Sequence, residues 1–177
     1  MIPTNPARTK VKQQLDLVHW HMLRGDGLRA GLASRAGSLL STDALIVAGV
    51  ALALGIGNRR PGYSVLVSSL VTLLCVAFSV INASMVLITV RRWHQQFKDL
   101  DVPSPFLYSY TGMHGNFAEF KTRMLSESSE QLLDHALVEL WRCGRLHNYR
   151  YRKLRDATKW ILAALVLLFI TIALSAV

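Results

Sequence analysis

Residues 63–90 read YSVLVSSLVTLLCVAFSVINASMVLITV, 28 positions without a charged side chain. A bilayer hydrocarbon core of about 30 Å needs roughly 20 apolar residues in a helix. This run exceeds that length, so it must tilt or protrude. Only helices and closed barrels cross lipid, because no water is there to satisfy backbone groups. The run lacks the apolar-polar alternation of a barrel strand, so it reads as helix. A soluble core helix is rarely this long and apolar on all sides. Two further runs share the character. Leu39–Gly57 has 19 residues and one charge, Asp43, and Trp160–Val177 has 18 and none. Together the three runs take more than a third of the 177-residue chain. That excludes soluble disorder and an ordinary soluble enzyme with one core. The expected fold class is an all-α membrane protein, with three transmembrane helices and a cytoplasmic helical stalk built from their extensions.

Charge sets the expected topology. The chain carries 20 Lys and Arg and a formal net charge of +9. Six basic residues precede Leu39, two lie in Asn58–Gly62 (Arg59 and Arg60), and twelve lie in 91–159. The positive-inside rule places the two rich segments in the cytoplasm. The N-terminus is then cytoplasmic, the 58–62 loop and the C-terminus outside, and the protein a multi-pass one of the cell inner membrane. Much of the +9 is thereby topological, and no nucleic-acid polymer is expected as partner. The first 35 residues hold no apolar run, so no cleavable signal peptide is expected.

The expected order is a flexible tail over 1–10, a cytoplasmic helix over 11–38, a first span over 39–57, an outside loop over 58–62, a second span over 63–90, a cytoplasmic helical segment over 91–159 and a third span over 160–177. Leu15, Val18, Met22, Leu32 and Leu39 keep a helical stripe, with a kink expected near Gly25-Asp26-Gly27. The second helix is expected to run on through Arg91–His94, with Trp93 as interfacial anchor. Pro103 and Pro105 end regular structure, and Thr111–Asn116 reads as a turn. Ser128 with Gln131 is a capping-box signature. Leu133, Leu137, Leu140, Gly144, His147, Tyr151 and Leu154 then fall on one helix face.

No nucleophile motif, carboxylate pair or ligand cluster stands out, and enzyme activity is not expected. Gly112 and Gly115 lack the following Lys-Ser/Thr of a phosphate loop. Six scattered histidines give no metal site, and Cys75 and Cys143 no disulfide framework. Three features remain. Asp43 sits inside an apolar run near its cytoplasmic edge, where an acid is costly and a functional candidate by default; it suits a structural or topological role, reaching water or a basic neighbour such as Arg35 or Lys159, or one in conduction or gating. Asn82 sits inside the second run, where asparagine usually bonds a neighbouring helix. Both are candidates for a membrane polar or gating role. The cluster Arg142, Arg145, Arg150, Arg152, Lys153 and Arg155 suits a solvated helix face, anionic lipid headgroups, or a phosphorylated small molecule. In the last reading a guanidinium grips phosphate and Tyr149 or Tyr151 stacks on a base.

Residues 32–50, Leu-Ala-Ser-Arg-Ala-Gly-Ser-Leu-Leu-Ser-Thr-Asp-Ala-Leu-Ile-Val-Ala-Gly-Val, resemble the entry to the first membrane helix of the Pycsar effector transmembrane family. Arg35-Ala36 falls where that family has Lys-Ala. A second likeness runs from Phe106 to Ala157. It takes in the polar stretch Ser126–Leu133 and Arg150-Tyr151-Arg152-Lys153-Leu154-Arg155-Asp156-Ala157, which is similar to the family's Lys-Tyr-x-x-Leu-x-x-Ala lead into the third membrane helix. Ala33 stands where the family often has Asp, and Arg150 where it often has Lys. The resemblance extends from about residue 12 onward. It implies an antiphage defence effector that responds to a cyclic pyrimidine nucleotide, cCMP or cUMP, made by a neighbouring cyclase. The response impairs the inner membrane in abortive infection. It further implies no cofactor beyond that activating ligand.

Under this reading Arg35, Arg145, Arg150, Tyr151 and Lys153 are the ligand-binding candidates. Three helices per chain are too few to enclose an aqueous path, so a homo-oligomer in contact with membrane lipid is expected. The alternative is a non-enzymatic structural or assembly membrane protein that binds a protein partner through its cytoplasmic helix.

Overall fold

The computed structural model describes residues 6–55, 62–88 and 116–175. Among them there is no strand; the elements are α1 (Pro6–Gly55), α2 (Tyr63–Leu87), α3 (Phe117–Ser126) and α4 (Ser129–Ser175). Helices α1, α2 and α4 are each long and apolar enough to cross a membrane. The chain is an all-α, multi-pass membrane protein. The Arg59-Arg60 loop, the Arg91–His94 extension, Pro103, Pro105 and Thr111–Gly115 lie outside the described residues.

Helix α1 is 50 residues, about 75 Å at ~1.5 Å per residue. It passes Gly25 and Gly27 without interruption. α4 is 47 residues. Its start obeys the capping box: Ser128 Oγ accepts from the Gln131 N–H at 3.2 Å, and Gln131 Oε1 accepts from the Ser128 N–H at 2.9 Å. α3 was not anticipated. Its cap is Asn116, whose Oδ1 accepts from the Glu119 N–H at 2.9 Å.

The chain divides into two compact units, 1–28 with 91–147 and 29–90 with 148–177. In the first, Val18 and Ala136 are buried. The expected stripe on α4 is displaced there: Leu137 is exposed and Ala136 faces inward. Tyr151, at the stripe's far end in the second unit, is also exposed.

The second unit holds the three apolar spans. α2 is antiparallel to both α1 and α4: Ser68–Thr171 and Lys153–Asn82 set it against α4, and Asp43–Ser79 with the Ala36–Val86 and Ile46–Val76 clusters sets it against α1. Buried positions recur at steps of three and four on each helix. On α2 they are Val65, Ser69, Thr72, Val76, Ser79, Ala83 and Val86, with Cys75 buried beside Val76. On α1, Leu32, Ala36, Asp43, Ile46, Val50 and Ala53 keep the same repeat, with half-buried Leu39 filling its gap. On α4 it runs Leu154, Ala157, Ile161, Ala164 and Thr171. A 3.5-residue repeat on all three is the seam of a left-handed bundle. Small side chains set its closeness: Ala36, Ala83, Ala157 and Ala164 are fully buried. Two apolar clusters lie along it, one around Ile46, Cys75, Val76, Ile161 and Ala164, the other around Leu32, Ala36, Val86 and Leu154.

Candidate functional site

Polar side chains interrupt the seam in a row. Asp43 is 1 % exposed, and its Oδ2 accepts from Ser79 Oγ at 2.9 Å. Its Oδ1 has no hydrogen bond among the described residues. The expected basic neighbours Arg35 and Lys159 are not its partners; a hydroxyl one helix away takes that place. Further along, Thr171 Oγ1 donates to the Leu167 carbonyl at 2.8 Å. Its single proton is thereby used, so Ser68 Oγ donates in the 2.7 Å bond to Thr171 Oγ1. Thr72 bonds back to the Ser68 carbonyl at 2.8 Å. In an apolar medium such bonds hold helices in register, because separation would leave the groups unsatisfied.

Asn82 lies where the seam opens toward the charged ends of the helices. Its Nδ2 donates to the Phe78 carbonyl at 2.8 Å, and its Oδ1 accepts from Lys153 Nζ at 3.2 Å. Two candidates assigned to different roles, gating for Asn82 and ligand binding for Lys153, thus form one contact. Phe78 and Trp160 stack beside them with ring centroids 5.0 Å apart. Tyr149 donates its hydroxyl to Met85 Sδ at 3.7 Å.

The remaining basic candidates separate. Arg35 and Tyr151 line one groove of about 500 Å³ with Ser38, Arg155, Thr158 and Lys159, over a floor of Leu39, Leu154 and Leu162. Arg150 is half-buried on another side of α4. Burial, and then the charge of Arg29, hold its guanidinium below the ordinary arginine range. It still carries its charge at neutral pH. A bound anion there would counter both effects. Arg145 belongs to the other unit and lies over the Trp141 ring, 5.4 Å from its centroid. Within the second unit, then, Arg35 and Tyr151 line one groove, while Lys153 reaches Asn82 and Arg150 lies elsewhere on α4. Arg155 and Lys159, named in the sequence only within the basic cluster and as a possible neighbour of Asp43, share this groove, and Arg29 was given no role there. Arg155 and Lys159 are four apart on one helix face, the spacing that brings them together at the groove.

Residues 30–177 match the family PycTM, described as the Pycsar effector protein domain. No curated protein and no solved structure matches the chain. The match starts at Ala30, not near residue 12, and takes in the whole seam, its polar row and the groove. The chain belongs to the Pycsar effector family.

Proposed function

We propose that this antiphage defence effector sits in the inner membrane with its N-terminus cytoplasmic and its C-terminus outside. In our reading a cyclic pyrimidine nucleotide, cCMP or cUMP from a neighbouring cyclase, engages the basic residues beyond the spans. An oligomer of the chain then impairs the membrane, by a pore or by disruption, and the infected cell dies in abortive infection. Membership of the Pycsar effector family carries this reading. Its physical support is that α1 and α4 each hold charged and apolar stretches in one helix, so a ligand on the charged part acts on an element that enters lipid. Arg150 with Arg29 beside it is the favoured phosphate contact, since an anion's charge offsets the cost of its burial and of the like charge. Arg35, Arg145, Tyr151 and Lys153 stay as further contacts to test.

Exposed Leu17, Trp20, Leu23, Leu137 and Trp141, all outside the apolar spans, support self-association. A ligand moves a resting equilibrium only by its differential affinity for the two states. Going from 1:99 to 99:1 takes about 5.5 kcal/mol, which several equivalent sites in an oligomer supply more readily than one. We read no catalytic role for the chain.

The test is dye release from liposomes carrying inserted protein, titrated with cCMP, cUMP and their purine counterparts. Leakage with a cyclic pyrimidine supports the reading. Intact vesicles with every nucleotide, in protein shown to be inserted, would leave the assembly role as the better account.

A further inference from the structure

The groove between α1 and α4 lies at the level where both apolar runs begin. Arg35 is four residues before Leu39, and Arg155 and Lys159 fall just before Trp160. The three cations surround one opening of about 500 Å³ and are themselves exposed. None has a hydrogen bond or ion pair among the described residues. Asp156 lies on the far side of Lys159, lining a neighbouring cavity with it. The floor is leucine rather than polar, with Leu39, Leu154 and Leu162. One face of α4 continues from Lys159 into the span as Leu162, Val166 and Phe169, which are 58 %, 60 % and 68 % exposed.

We propose that this groove seats the phosphate headgroup of an anionic phospholipid between Arg35, Arg155 and Lys159, with its acyl chain along the Leu162–Val166–Phe169 stripe. A soluble phosphate satisfies the cations but leaves the stripe unused. A zwitterionic lipid covers the stripe but brings its own positive charge to the cations. An anionic lipid matches both halves. Phosphate oxygens accept from the guanidinium forks, and Ser38 and Thr158 hydroxyls lie within the same opening. The site needs only the membrane-spanning fold and does not rest on nucleotide activation.

Native mass spectrometry of protein extracted from mixed POPG and POPC liposomes reads the occupant. Wild-type protein is expected to retain POPG in preference to POPC, and millimolar inorganic phosphate or cUMP to leave that preference unchanged. The variant R35Q/R155Q/K159Q is expected to lose it, each cation contributing roughly fivefold. The charge-preserving variant R35K/R155K/K159R is expected to keep it, as is R152Q, which changes an exposed arginine outside the groove. Equal retention of the two lipids by wild-type protein overturns the proposal. So does a POPG preference that survives the triple glutamine change, or one that free phosphate or cUMP abolishes.

Discussion

Asp43 shows how far a single residue can be read before its surroundings are known. An acid in an apolar run is conspicuous because lipid penalises it, so the sequence marks the position. Its partner was not legible, since Ser79 is one of several serines and threonines in α2 and nothing in the order of residues ranks them. The fold ranks them: Ser79 shares the buried seam with Asp43 and donates to it at 2.9 Å. Ser79→Ala removes that donor without changing the packing much. It should lower stability by about 1 kcal/mol, read as a lower melting temperature in detergent. Arg150 belongs to the same scale. If it is the phosphate contact, Arg150→Gln should raise the cUMP or cCMP concentration for half-maximal dye release roughly tenfold. Lys121→Gln, an exposed charge on α3, should leave it where it was. An unchanged midpoint for Arg150→Gln would move the ligand elsewhere among the basic residues.

Individual helices were the most legible part, and their inner faces the least. Length and lack of charge mark a span, but a span apolar all round hides which side meets its neighbours. The inner face is marked by small and hydroxyl-bearing residues set among its Leu, Ile and Val. Ala36, Ser69, Thr72, Ala83, Ala157, Ala164 and Thr171 are buried, while Leu45, Leu52, Leu70 and Leu74 point outward. In water the large residues go inside; in lipid they satisfy the outside equally well, and close approach selects the small ones. The missed helix α3 had a signal, the Asn116–Glu119 cap, which the glycines before it obscured. Gly49 tests the seam at its tightest recorded glycine. A Cβ built there meets Leu168 Cδ2 at 3.1 Å. Gly49→Val should therefore wedge α1 from α4 and cost about 1–3 kcal/mol, and Leu168→Ala in the same chain should recover part of the loss. Additive losses in a double-mutant cycle would show that the two residues are not in contact.

For the spans taken as a whole, the buried polar residues lie on the seam within one chain, while Ser41 and Ser64 near the span ends are exposed. Asp43, Ser69, Thr72, Ser79 and Thr171 face the seam, while Leu45 at 72 % exposure and Phe169 at 68 % represent the outer surface. No more than a third of each apolar window is buried inside the chain, so lipid or further copies must cover the rest. Copies that assemble with their bundles unchanged would meet through leucine and phenylalanine, and a path lined that way repels water. An aqueous pore then requires the seam to open and turn its hydroxyls and Asp43 toward the shared axis. Bilayer disruption has no such requirement. The Ser68–Thr171 pair, with oxygens 2.7 Å apart, offers a lock between α2 and α4. In a background with Cys75 and Cys143 replaced, the double variant S68C/T171C should oxidise to a disulfide that keeps the seam shut. If conduction runs through the opened seam, the oxidised protein should insert into liposomes yet release no dye with cyclic pyrimidine nucleotide, and reductant should restore release within the same sample. Equal leakage from oxidised and reduced protein would mean that the membrane fails around intact bundles, with the polar row serving only to hold the three helices together.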